Sequence, residues 1–217
     1  MIAKGLLTRG GLSMMSKGFA TGCLVVSATV LSACAGGATE HAGPPATSTA
    51  ALPSVQVSLP PAPAQTGEKQ VRFDPCARVG DDLVRKAGFD PATRERAVSE
   101  GVSSLLTTIG CQFWREALVD GEKYPTGGLS VTSSDLTLDN IRTSSEHEIF
   151  NADPIRGRAA VLYRTPQVGN GCWASIESAD GTFTVGLIVT PGPVAVPPPC
   201  EQIRQIAETF SEALGTE

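Results

Sequence analysis

Four cysteines, Cys76, Cys111, Cys172 and Cys200, are spread through the C-terminal two thirds of this 217-residue chain. What they can do depends on the compartment the chain reaches. In a reducing cytoplasm they would read as metal ligands or redox groups, whereas in an exported domain an even number reads as a disulfide framework. The N-terminus points to export. Residues 1–17 carry Lys4, Arg9 and Lys17 and no acid, and residues 18–33 carry no charge. Apolar runs at Leu24-Val25-Val26 and Val30-Leu31 lie in that uncharged stretch. Its 16 residues fall short of the roughly 20 needed to span a bilayer as a helix, but they suit the apolar region of a secretory signal.

Leu31-Ser32-Ala33-Cys34 closes the leader. Small residues just before a cysteine resemble the bacterial lipobox, which implies cleavage before Cys34 and a diacylglyceryl group on its thiol. Two or more acyl chains anchor a protein stably where one holds it only marginally. The expected location is therefore the extracytoplasmic face of the cell membrane, with the membrane as first partner through the lipid. Cys23 is the rival acceptor, but Ala20-Thr21-Gly22 before it comes too early in the apolar run. The compact leader that opens at Met14 or Met15 also marks either as a candidate start.

Without the leader's three cations, 14 of the 17 basic residues face 22 acids, a net charge of −8. That balance, with no stripe of Lys and Arg among aromatics, argues against nucleic-acid binding. Residues 35–70 are mostly Ala, Gly, Pro, Ser and Thr, with no aromatic and six prolines. Such a composition buries too little apolar surface to offset its ordering entropy. The chain thus divides into a signal peptide (1–33), a lipidated cysteine with a flexible tether (34–70) and one domain (71–217).

Within the domain, Asp74-Pro75-Cys76 offers an N-cap with proline at the first helical position. Val79, Leu83, Val84 and Ala87 mark one face of that helix, and Gly88 stops it. Ile203, Ile206, Ala207, Phe210, Ala213 and Leu214 recur at helical spacing before Gly215. Between the helices, residues 111–119, 128–133, 148–151, 158–165, 171–178 and 182–190 read as strands. Asp180-Gly181 is the stronger hairpin signal and Asp120-Gly121 the weaker, and Asp135 suggests a cap for a short helix over 136–144. The expected class is α+β: an antiparallel sheet with N- and C-terminal helices packed on it, stapled by two disulfides. Three pairings are possible. Cys76 and Cys200 both open a terminal helix just after proline, and Cys111 and Cys172 both lie in strands beside aromatics. That symmetry favours Cys76–Cys200 with Cys111–Cys172.

Signals for chemistry are sparse. G-x-S-x-G, a P-loop, a dinucleotide fingerprint, H-E-x-x-H and an EF-hand loop are absent, and no cofactor is implied. No C-x-x-C occurs and no histidine lies near the four cysteines, so no metal site is expected. His147 sits between Glu146 and Glu148, and Arg156 and Arg158 flank Gly157. These three are the candidate ligand-binding residues, the histidine for its titration range and the arginines for clamping an anion. Each pattern also suits a solvated loop. No residue stands out as catalytic.

The combination resembles the actinobacterial lipoproteins grouped as domain of unknown function 3558. The residues that carry the likeness are Leu31-Ser32-Ala33-Cys34, Asp74-Pro75-Cys76, Cys111-Gln112-Phe113-Trp114, Ile155-Arg156-Gly157-Arg158-Ala159-Ala160, Cys172 and Pro199-Cys200. The resemblance implies a surface lipoprotein domain and carries over no catalytic residue. Two functions are expected from it and from the residues together. The first is a binding or interaction module facing the cell envelope, its ligand an envelope protein, a lipid or a small apolar molecule. The second is a cell-wall-directed hydrolase or accessory enzyme using carboxylates such as Asp135, Asp139, Glu146 or Glu148.

Overall fold

A computed structural model describes residues 53–67, 69–103 and 105–215. The leader, Cys34 and the first part of the proposed tether lie outside the described residues. The chain begins with two short helices, α1 (Pro75–Arg78) and α2 (Asp81–Lys86). Strands β1 (Asp90–Arg96), β2 (Gly101–Val102), β3 (Thr107–Val119) and β4 (Glu122–Ser134) follow, then α3 (Leu138–Thr143). Strands β5 (Glu148–Asn151), β6 (Ala160–Arg164), β7 (Gly171–Ser178) and β8 (Gly181–Val189) lead to α4 (Pro199–Phe210) and a 3-10 turn, Ser211–Leu214. The strands form one antiparallel sheet in the order β1-β3-β4-β8-β7-β6-β5, with β2 also pairing β3.

Strand alternation sorts side chains onto two faces. Phe113, Leu129, Leu187 and Cys172 lie in register across β3, β4, β8 and β7, as do Cys111, Val131, Val185 and Ala174. All eight are buried and share one core with Val79 and Val84 of the N-terminal region and with Ile203, Ala207 and Phe210 of α4. The N- and C-terminal helices therefore pack on the inner face, as the apolar spacing requires. The third helix covers the opposite face, where Leu138 and Ile141 meet Val161 and Tyr163.

Several local expectations are corrected. The first helix is broken in two at Val79-Gly80, where both residues are extended. Arg94 takes the Val79 carbonyl, and Asp81 turns inward to meet the same guanidinium at 2.7 Å. Thr137, not Asp135, caps α3, through a reciprocal pair of bonds with Asn140, while Asp135 accepts the Thr107 amide. Asp120-Gly121 is a two-residue hairpin with positive φ at both positions (53° and 87°), the backbone that left-handed turn residues supply. In the β7–β8 hairpin the turn is Ala179-Asp180, one residue earlier than expected, because Ser178 pairs Gly181. Asp180 is thereby free to accept the amides of Arg72 and Phe73. Strand β1, rich in charge and lacking alternation, was not expected at all.

The disulfide pairing also differs: the bridges are Cys76–Cys111 and Cys172–Cys200. The reason is sheet order. Strands β3 and β7, which hold Cys111 and Cys172, are separated by β4 and β8. Three inter-strand steps make about 14 Å, beyond the reach of a disulfide. Each helix start instead lies over one of these strands, with Cα–Cα separations of 5.1 and 5.2 Å. Each bridge spans 35 or 28 residues, worth at most about 4 kcal/mol apiece on the chain-entropy account.

Residues 53–67, read from composition as tether, lie against the domain. Val55, Val57 and Leu59 are half-buried in alternation with exposed Ser54, Gln56 and Ser58. The Asp81 amide donates to Ser54 O, the Gln56 amide to the Asp81 carboxylate, and Arg96 to Pro60 O. Gln65 pairs with both backbone groups of Val71 at 2.7 Å.

Candidate functional site

The outer face is lined by small residues. Ser130, Thr132 and Ser134 of β4 project there with Thr182, Thr184 and Gly186 of β8, opposite in parity to the buried Val131 and Val185. Two tryptophans lie on this surface, and glycines make room for them. Trp114 is paired with Gly128, where a Cβ would come within 2.7 Å of the indole. Trp173 lies across two glycines: a Cβ on Gly186 would meet its five-membered ring at 2.6 Å and one on Gly171 its six-membered ring at 2.5 Å. Between the indoles lies a cleft of about 250 Å³, floored by Gly128, Gly186 and Ser130 and walled by Ile188. Trp114 is 41% exposed and Ile188 44% exposed.

One carboxylate is bonded to two of the lining residues without lining the cleft itself. Glu95 Oε1 accepts the Trp114 indole N–H and the Gln112 amide, each at 2.7 Å. These hydrogen bonds, the indole's first, hold the Glu95 carboxyl below its ordinary value. Gln112 is committed on its other side too, where its oxygen accepts the Val98 amide. Behind Trp173 the aromatic row continues beneath α3. Tyr163 stacks on it with ring centroids 6.0 Å apart, and His147 lies 4.4 Å from Tyr163. Burial raises the Tyr163 hydroxyl's pKa.

The residues singled out from sequence do not converge. His147 Nδ1 lies 3.3 Å from the Thr165 hydroxyl, beside the aromatic row. Arg156 occupies a turn with φ of 49°, 4.0 Å from Glu212, and Arg158 donates to Gly215 O. The arginines thus face the C-terminal turn rather than the histidine. Among the carboxylates, Asp139 pairs Arg142 and Glu148 pairs Arg164, while Asp135 is bound to the Thr107 amide. A larger opening of about 670 Å³ lies beside the Cys172–Cys200 bridge, and its charged pair, Glu148 and Arg164, is mutually satisfied. Among the described residues no group of three or more His, Cys, Asp or Glu side chains is placed to hold a metal ion, and no helix is long and apolar enough to cross a membrane.

The tryptophan cleft was missed in the sequence, yet a signal was present. Cys111 and Cys172 point into the core, so Trp114, three residues on, and Trp173, one residue on, must point out.

A family model described as a protein of unknown function, DUF3558, matches residues 29–212. No curated protein and no solved structure matches the chain.

Proposed function

The chain belongs to the DUF3558 family, and from that premise we propose that it is a lipid-anchored, envelope-facing binding module whose ligand seats on the open face of the sheet. The observation that carries the binding reading is the cleft between Trp114 and Trp173. An exposed indole, Trp114, and a half-buried one, Trp173, held flat over glycines leave a concave apolar surface with few polar groups, the usual make-up of a ligand site. Carriage of a lipid between sheet and helices is less well supported, because that space is filled by Phe113, Phe183 and Phe210, each fully buried. The hydrolase reading has less support again, since Asp135, Asp139 and Glu148 are each engaged by a donor of the chain itself. The leader and Leu31-Ser32-Ala33-Cys34 support the anchor.

Two measurements test the halves of this reading. Mass spectrometry of the mature N-terminal peptide should find diacylglyceryl on Cys34, and Cys34→Ala should release the chain from the membrane fraction. An unmodified N-terminus opening at Ala35 would overturn the anchor. Envelope extracts added to the mature chain should change its tryptophan fluorescence, and Ile188→Arg, which fills the cleft from an exposed position, should abolish the change. A response that survives Ile188→Arg would place the ligand elsewhere.

A further inference from the structure

We propose that the Trp114–Trp173 cleft takes an uncharged ligand with an apolar skeleton, whose carbonyl oxygen accepts from Trp173 Nε1 and the Ser130 hydroxyl. The inference rests on the binding reading above and names its chemistry. The two indoles lie flat over glycines, so their edges meet the cleft, and the two edges differ. Trp114 has spent its N–H on Glu95. The part of it over Gly128 is the six-membered ring, whose Cζ3, Cε3 and Cη2 would lie 2.7, 3.1 and 3.3 Å from a Cβ there. That edge offers only C–H groups. Trp173 is turned the other way. Its Cδ1 and Nε1 lie over Gly186, both 2.6 Å from where a Cβ would stand, and the Ser130 hydroxyl oxygen is 2.6 Å from the same point. Among the described residues nothing accepts the Trp173 N–H, and nothing bonds the Ser130 hydroxyl. Two unspent donors thus border one hollow, which exists because residue 186 has no side chain.

The rest of the lining is uncharged and mostly apolar, with Val98, Leu129 and Ile188 as its aliphatic side chains. Gln112 is bonded to Glu95 through its nitrogen and to the Val98 amide through its oxygen, which leaves Ser99 as the one further polar side chain. A carbonyl oxygen has two lone pairs, one for each donor, and brings no donor of its own that would need a partner. Other chemistries fit less well. A hydrocarbon would cover both donors without pairing them, and an unpaired buried donor carries its full desolvation penalty. A carboxylate would meet two neutral donors and no lining Lys or Arg, beside residues already bonded to the Glu95 carboxylate. A pyranose stacks on aromatic faces and presents many hydroxyls, whereas this cleft offers edges and few polar groups. At about 250 Å³ the cleft is smaller than drug-sized pockets, so it suits a small molecule or one carbonyl-bearing segment of a longer one.

The chain has two tryptophans, and both line the cleft. Their indole N–H resonances report the donors, with Trp114→Phe telling them apart, and the Ile188 methyl resonances report occupancy whatever the ligand. The experiment uses the full mature chain from residue 34, oxidised and carrying Cys34→Ser so that it takes no lipid and needs no detergent. It is titrated with cyclohexanone, with methylenecyclohexane, in which carbon replaces the oxygen, and with cyclohexanecarboxylate. Cyclohexanone should move the Trp173 N–H downfield saturably, as a new hydrogen bond does, and methylenecyclohexane should occupy the cleft without that shift. Ser130→Ala should weaken cyclohexanone about threefold to tenfold and leave methylenecyclohexane no weaker. The carboxylate should bind more weakly than the ketone. If cyclohexanone moves the Ile188 methyls but not the Trp173 N–H, if Ser130→Ala weakens both ligands alike, or if the carboxylate binds more tightly than the ketone, the carbonyl proposal fails and the cleft stands as a site. If no probe moves the Ile188 methyls or either indole, the cleft and the proposal fail together.

Discussion

At the scale of single residues, the outer face is a study in what glycine permits. Trp173 can lie flat because Gly171 and Gly186 offer no Cβ beneath it, and Trp114 does the same over Gly128. The indole edge then reaches Glu95, and a hydrogen bond to the charged form of a carboxyl lowers its pKa. Trp114→Phe keeps the aromatic face but removes the donor, so the Glu95 carboxyl should rise toward its ordinary value, measurable by NMR titration of the side-chain carbon. The sign for stability follows. A depressed pKa in the folded state contributes stability above the unfolded value, and that contribution is lost as pH falls through the folded value. In the Trp114→Phe chain that contribution should be smaller, and its loss should be complete at a higher pH. An unchanged Glu95 titration would show that the indole bond does not set it. Parity relative to the buried cysteines makes the outward direction of both tryptophans legible in sequence. Their convergence is not, because it depends on β4 and β8 lying between their strands.

At the scale of elements, one buried ion pair organises the N-terminal region. Arg94 and Asp81 are 0% and 2% exposed, and the guanidinium also donates to the carbonyls of Cys76 and Val79 while lying over the Phe113 ring. The pair ties β1 to both short helices and explains why a chain patterned for one helix forms two. Periodicity reports which face is apolar, and Val79, Leu83 and Val84 are indeed buried together. It does not report that a distant arginine will claim a carbonyl in mid-helix. Nor could charge-rich β1 be read as a strand, since alternation was its only available signal and Arg94 is buried for its partner rather than for its hydrophobicity. Arg94→Ala strands the Asp81 carboxylate and should cost about 3–5 kcal/mol in urea unfolding. Arg164→Ala, which breaks a pair 60% and 53% exposed, should cost less than about 1 kcal/mol. Comparable losses in the two variants would refute this assignment.

At the scale of the whole molecule, the domain extends N-terminal of residue 71. The segment from Pro53 supplies partners to Asp81 and Arg96 and half-buries Leu59 against the core. A chain begun at Val71 should therefore be less stable than the mature chain by about 2–4 kcal/mol. Equal urea midpoints would mean that the segment only rests on the surface. Composition hid this segment because proline, alanine and serine dominate it, although Val55-Gln56-Val57-Ser58-Leu59 carries an alternating pattern.

What the amino-acid sequence determined by itself is whatever depends on neighbours along the chain: the Asp74-Pro75 helix start, the amphipathic C-terminal helix, the extents of β5 and β7, and the α+β class. Tertiary structure alone decided what depends on strand order. Two strands lie between Cys111 and Cys172, so each cysteine is bridged to the helix start above it rather than to its counterpart in the sheet. That same separation holds the two tryptophans on opposite sides of a shared cleft. Local patterning fixes which way a side chain points, but only the arrangement of the sheet settles what it points at.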